Sequence, residues 1–263
     1  MRVSILGIGL LSAGLEGWSS GREVLRGGRP FSPTSLPDPT ADLLPANERR
    51  RSSDCVRWAV QVAHEAIVQS ELDPRDVATV FASSGGEMGV LDTLCRALAT
   101  TERIVSPTLF HQSVHNTAAG YWGIATKCQQ SSTALSCYDD SSAVGLLEAV
   151  TYATLEECPV LFVAYDLPAP EPLHGARPIA TAFAAALVLT AFGEPPDPTM
   201  SLRLLSAEKR DVTTMSDQDL ERLRLDNPAA RVLPLLRAVA LKGRHTVMMD
   251  VLDDQRLVVE VDS

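Results

Sequence analysis

Two kinds of apolar pattern alternate along the chain. Short runs that stay largely apolar, at 3–8, 77–82, 133–137 and 159–164, predict strands, the last of them ("PVLFVA") buried on both faces. Between them, apolar positions that return every third or fourth residue predict helices. In "SSDCVRWAVQVAHEAIVQS" the residues Val56, Ala59, Val60, Ala63 and Ile67 form one helical stripe, and Ser53 or Asp54 caps its start. Further helices are predicted over 17–27, with Trp18 and Leu25 turned inward, and over 88–100, 117–126 and 141–155. Five prolines between 28 and 47 mark a long surface loop, and 101–113 reads as another. Strands at 184–190 and 201–207 then follow one another without a helix. The tail reads as a helix over 229–241 and a hairpin, "TVMMDVLDDQRLVVEV", turning at Asp253 and Asp254.

Strands that alternate with helices at this spacing are the mark of βαβ units, so the pattern predicts a layered α/β fold, its sheet flanked by helices. No linker or repeat divides the 263 residues, which read as one domain over 1–263, long enough to bury a sizeable core. The longest apolar stretch, 178–192, falls short of the ~20 residues of a membrane span. At the start, "MRVSILGIGLLSAGLEGW" places one Arg before an apolar run, as a secretory leader does. It lacks a small-residue cleavage site, and Gly7 and Gly9 suit a strand ending in a tight turn. The expectation is a cytoplasmic protein with no integral membrane segment.

Charge and candidate chemistry narrow the function. A net charge of −10 opposes nucleic acid as a partner, because phosphate binding needs a basic surface. The five cysteines (55, 95, 128, 137 and 158) show neither disulfide nor zinc spacing, so no metal and no cofactor is expected. Gly17-Trp18-Ser19-Ser20-Gly21 matches the nucleophile-elbow pattern G-x-S-x-G but has no strand directly before it, and Gly7-x-Gly9 begins like a dinucleotide fingerprint that no helix completes. Cys137 is the sharpest position. It lies between a predicted strand and a predicted helix, where a helix N-terminus favours a thiolate, yet Asp139 and Asp140 oppose one and can cap the helix instead. His115, next to Asn116, is either a base for Cys137 or a polar cap or interface residue; His111 and His174 are weaker candidates, and His64 and His245 read as structural.

The motifs "SILGIGLLSAG", "FASSGGE", "SVHNTAAGYWGIAT", "STALSCYDDSSAVGLLEA" and "PVLFVAYD", in that order, resemble the β-ketoacyl synthase-like chain-length-factor proteins of aryl polyene biosynthesis, a branch of the thiolase-like superfamily. The resemblance runs to about residue 192. It implies a thiolase-like layered fold, with a mixed, mostly parallel sheet, that corresponds to about one N-terminal thiolase half with a short C-terminal extension. In the condensing enzymes the nucleophilic cysteine stands eight residues before a helix glycine, and Cys137 stands eight before Gly145. The two histidine contexts that decarboxylate the malonyl carrier protein are missing: "LHGARP" does not match and there is no Gly-His pair. The resemblance therefore implies no catalytic residue, with Cys137 a degenerate nucleophile position. The implied partners are a full-length ketosynthase subunit in a heterodimer and, through that complex, acyl carrier protein. Phe110, Val114, His115 and Asn116 are implied to face the acyl pocket and the partner. Ala118, Ala119, Gly120, Tyr121 and Trp122 are implied to form the interface. Two other readings stay open: an active minimal ketosynthase or acyltransferase using Cys137, and a thiolase-fold scaffold or binding protein unrelated to polyenes.

Overall fold

The computed structural model describes residues 1–33, 35–191, 198–206, 211–252 and 254–263. Phe192, Ala207 and Asp253, the expected ends of an apolar run and a strand and part of the expected hairpin turn, lie outside the described residues. The chain begins with β1 (Arg2–Ser12), β2 (Leu15–Glu16) and α1 (Trp18–Leu25), followed by α2 (Ala46–Arg51) and the long α3 (Asp54–Ser70). Next come β3 (Ala78–Ala82), α4 (Met88–Leu98), α5 (Pro107–Gln112), α6 (Thr117–Thr126), β4 (Ser132–Leu135), α7 (Ser141–Leu155) and β5 (Val160–Asp166). The rest is α8 (Leu173–Ala176), β6 (Phe183–Thr190), β7 (Thr199–Ser206), α9 (Gln218–Asp226), α10 (Leu233–Ala240) and the hairpin β8 (Arg244–Val251) with β9 (Gln255–Asp262).

All the strands belong to one sheet in the order β4-β3-β5-β6-β1-β7-β9-β8, with β2 beside β1. Within β4-β3-β5-β6-β1, four strands run one way and β6 opposes them, which is the expected mixed sheet; β7, β9 and β8 extend it by antiparallel pairing. Helices cover both faces because side chains alternate along each strand. On β5, Val160, Phe162 and Ala164 join a core formed with α7, α9 and α10, while Leu161, Val163 and Tyr165 join a second core under α3 and α6. No helix among the described residues is long and apolar enough to cross a membrane.

Strongly periodic elements fall where the pattern places them. Helix α3 starts at Ser53, whose hydroxyl accepts from the Val56 N–H at 3.1 Å. Differences arise in the weakly patterned segments: the predicted loops contain the start of α2 and all of α5, the latter capped by Ser106 with Pro107 in its first turn. Helix α9, also unexpected, is capped by Asp217, whose carboxylate accepts from the N–H groups of Asp219 and Leu220. Gly7 and Gly9 do not end the strand. They lie within β1, where α3 crosses so closely that a Cβ on either would stand 2.0 Å from the carbonyl oxygen of Ala66 or Val62. Backbone approach, rather than a turn, is what requires glycine there.

The two ends of the sheet differ. Beyond β8, Thr213 donates its N–H to the Met248 carbonyl and accepts the Met248 N–H on its hydroxyl, both at 2.9 Å, which seals that edge. Strand β4 pairs only with β3, so its other edge meets no partner among the described residues.

Candidate functional site: a degenerate nucleophile turn and a buried acid cradle

The parallel strands β3, β4 and β5 end together, and their carboxyl ends carry the chemistry-bearing segments: 83–87 after β3, Cys137–Asp140 after β4, and Asp166 closing β5. In parallel α/β sheets this end is where ligands bind.

Cys137 is half-buried and precedes a single 3-10 turn, Tyr138–Asp140, rather than the first turn of α7. Its N–H donates to the Ser141 hydroxyl at 2.9 Å, and that hydroxyl donates to the Tyr138 carbonyl at 2.7 Å. Cys137 thus stands one 3-10 turn before the N-terminus of α7 rather than at it. No histidine among the described residues hydrogen-bonds to Cys137. Tyr138 adopts a left-handed backbone (φ 52°), and its exposed ring lies under the Arg177 guanidinium, 3.7 Å from the ring centroid.

The expected capping role of Asp139 and Asp140 is not what these residues do. Asp140 occupies the N-cap position of α7, but no side-chain cap bond forms. Its carboxylate instead accepts the Leu252 N–H at 2.9 Å and pairs with Arg231 at 3.4 Å. Asp139 lies between two guanidiniums, Arg177 at 2.5 Å and Arg231 at 2.8 Å. Burial pushes the Asp140 carboxyl up, against the opposing pull of the Leu252 N–H and Arg231. Two carboxylates and two guanidiniums balance, so the negative field expected at Cys137 is largely neutralised.

Asp166 builds a cradle for the 83–87 segment. Its Oδ1 accepts from the Ser83 hydroxyl (2.9 Å), the Ser84 N–H and hydroxyl (2.9 Å each) and the Gly85 N–H (3.1 Å). Its Oδ2 is buried with no hydrogen-bond partner among the described residues, and burial pushes the carboxyl up despite the four bonds. His115 clasps the same segment: Nε2 lies 3.0 Å from the Ser83 carbonyl, and the ring packs on Gly86. It makes no side-chain cap bond to α6 and no hydrogen bond to the thiol among the described residues. The Cys55 thiol donates to the Gly86 carbonyl, and Glu87 accepts from Ser53 at 2.8 Å.

Burial pushes Glu87 up to about 7, against hydrogen bonds from Ser53 and Cys55. The folded state therefore holds a proton that the unfolded chain releases at the ordinary value of 4.5. Its contribution to stability is complete below that value and is lost as pH rises through about 7, by on the order of 3 kcal/mol. Urea denaturation at a series of pH values should show Glu87→Gln flattening this slope. An unchanged slope would mean that Glu87 ionises freely.

The segment expected to face a partner divides into two parts. Phe110 and Val114 are exposed, as is Asn116, which stands at the N-cap of α6 without a side-chain bond. Of the expected interface residues, Ala118, Ala119, Tyr121 and Trp122 are buried in the core against α3, and only Gly120 looks outward, together with Ile124. Small side chains on α6 let it approach α3; they are spent inside the chain. Tyr121 is held by the buried Gln112, whose amide donates to its hydroxyl at 2.9 Å. The outward residues line an open groove of about 540 Å³ with Pro107, His111, Val114 and Asn116. Asp166, Glu87, Arg177 and Arg231 went unread in the sequence. The one available signal was a carboxylate closing an otherwise apolar strand in "VLFVAYD", since a buried acid must find donors.

No group of His, Cys, Asp and Glu among the described residues is placed to hold a metal ion. No curated protein matches the chain by sequence. In three dimensions it is similar to a chain of the ketosynthase (ApeO) in complex with its chain length factor (ApeC) from Xenorhabdus doucetiae, at 23% identity and TM-score 0.73, covering 98% of this chain and 99% of that one. It is also similar to a chain of the AntDE:AntF complex, a type II PKS acyl-carrier protein with its ketosynthase bound to the hexaketide (13% identity, TM-score 0.73, 100% and 99% covered). The ishigamide ketosynthase/chain length factor gives 12% identity and TM-score 0.71, with 99% of each chain covered. At these identities the likeness establishes a thiolase-like fold. Residues 24–247 match the profile of the beta-ketoacyl synthase, N-terminal domain, and the chain belongs to that family.

Proposed function

We propose that the chain is a ketosynthase-like chain length factor: it pairs with a full-length β-ketoacyl carrier-protein synthase and shapes that partner's acyl pocket during aryl polyene biosynthesis. The observation that carries this reading is the outer edge of β4, unpaired among the described residues, which leads directly into Cys137 and is flanked by α6, with exposed Ile124 on that helix and exposed Val114 in the turn before it. An edge strand left open beside exposed apolar side chains is a surface made for another subunit. Similarity to chains of ketosynthase and chain-length-factor complexes supports the same assignment, as does the nucleophile turn, where the thiol lacks a hydrogen-bonded base and Asp139 is clamped by two arginines.

Co-expression with a full-length aryl polyene ketosynthase tests it. A stable heterodimer is expected, and Gly120→Trp should break it without unfolding the chain, since a Cβ at Gly120 meets nothing within 4 Å. Ala119→Trp would be a poor probe, because it would disrupt the core. In a reconstituted system Val114→Phe should shorten the product, each methylene being worth on the order of 1 kcal/mol of discrimination. Unchanged products from an assembled complex would remove the chain-measuring role. The half-buried thiol favours one second reading, acylation at Cys137; condensation by the isolated chain that is lost in Cys137→Ser would establish it instead.

A further inference from the structure

Helices α4 and α5 form an arm, residues 87–113, that lies outside both cores. Val90 and Leu94, the buried aliphatic side chains of α4, belong to neither core, and α4 packs chiefly on α5. Leu91 and Leu98 on α4 and Phe110 on α5 are exposed. Among the described residues, few side-chain bonds tie the arm to the body. Arg96 donates to the Glu171 carbonyl, and at the far end the Gln112 amide donates to the Arg51 carbonyl and to the Tyr121 hydroxyl. At the near end the chain leaves β3 through Gly85 and Gly86, the latter with a left-handed backbone (φ 57°), and Glu87 follows at the N-cap of α4. Its side chain does not cap the helix. It turns inward instead, only 5% exposed, and accepts from the Ser53 hydroxyl at the start of α3.

We propose that Glu87 is a proton-operated latch: the arm is held closed while this carboxyl is protonated and is freed to open, turning about Gly85 and Gly86, as the carboxylate forms. The surroundings of the carboxyl supply the reason. From α3 it meets Ser53, Cys55 and the negative charge of Asp54, and β5 brings Tyr165 and Asp166 to the same buried region. The nearby His115 is bonded to the Ser83 carbonyl, and no lysine or arginine pairs with Glu87 among the described residues. A buried carboxylate without a cation is costly, whereas the protonated form needs only neutral partners. Burial raises the group to about 7 in the closed arm, against the ordinary 4.5 once it is open to water. Closure is therefore firmest below 4.5, weakens by roughly tenfold for each pH unit above that, and has lost the latch's contribution once pH has risen through about 7. The latch is a property of the isolated chain and does not rest on the chain length reading.

Hydrogen exchange of the whole chain, read by mass spectrometry and corrected at each pH for the intrinsic rate, tests the latch. Residues 87–98 should exchange on the order of tenfold or more faster than the wholly buried β6 at every pH, as a separately opening unit does. Their protection should fall roughly tenfold for each unit between about pH 5 and pH 7 and level off above about pH 8. Glu87→Gln, which can still accept from Ser53 but cannot ionise, should lose that dependence. The proposal is overturned if the Gln variant keeps the parent's pH profile. Two results on the parent alone would also overturn it: protection of 87–98 that does not change with pH, or exchange of that segment at the same rate as β6.

Discussion

Gly9→Ala is expected to leave little folded protein at physiological temperature. The added Cβ would stand 2.0 Å from the Val62 carbonyl oxygen and 2.7 Å from its carbon, both backbone atoms of α3 that no rotamer change can move. Relief requires shifting a helix that packs on β1, β5 and β6 together, so the cost should exceed the ~3 kcal/mol typical of overpacked cores. Thermal melts of purified protein, or loss of soluble expression, would register it. Gly120→Ala is the matched control: on the open face of α6 the same change should be neutral or stabilise by up to ~1 kcal/mol. Equal melting temperatures for Gly9→Ala and the parent would mean that α3 is not seated against β1 as described.

Asp166→Ala should be nearly as damaging, at about 3–5 kcal/mol in urea denaturation at neutral pH. It strips the acceptor from two hydroxyls and two backbone N–H groups of residues 83–85, all of which lie at or near the buried end of β3. Asp166→Asn offers the informative contrast. An amide oxygen can keep the four donors satisfied without the cost of burying charge, although its nitrogen puts N–H donors where Oδ2 has no partner. The Asn variant should therefore lose clearly less stability than the Ala variant. Should Ala and Asn destabilise alike, the cradle would not depend on hydrogen bonding.

How much of this was legible in the sequence depended on periodicity. Helix α3 and strand β5 have strong patterns, and they appear, as do α6 and α7, within a few residues of their predicted ends. Helices α2, α5 and α9 are short, and their polar or proline-bearing sequences lack a long apolar stripe, so nothing but local capping marked them. The face of α6 was misread for a different reason. "TAAGYWGIAT" is small or apolar all the way round, and a helix without a polar side does not declare which side is buried.

By itself, then, the sequence determined the order of the strongly patterned elements, the layered α/β class, the family motifs and the place of Cys137, because each of these is written in residues close together along the chain. Tertiary structure alone decided what surrounds Cys137 and which surfaces remain free. Asp139 and Asp140 looked like helix caps until Arg177 and Arg231, from segments far later in the chain, drew them into ion pairs. Gly7 and Gly9 looked like turn residues until the backbone of α3 was laid across them. One sheet edge is met by Thr213, and the other is unpaired among the described residues. Partners brought together from distant segments settle such questions by charge, packing and hydrogen bonding, and no local pattern encodes who those partners will be.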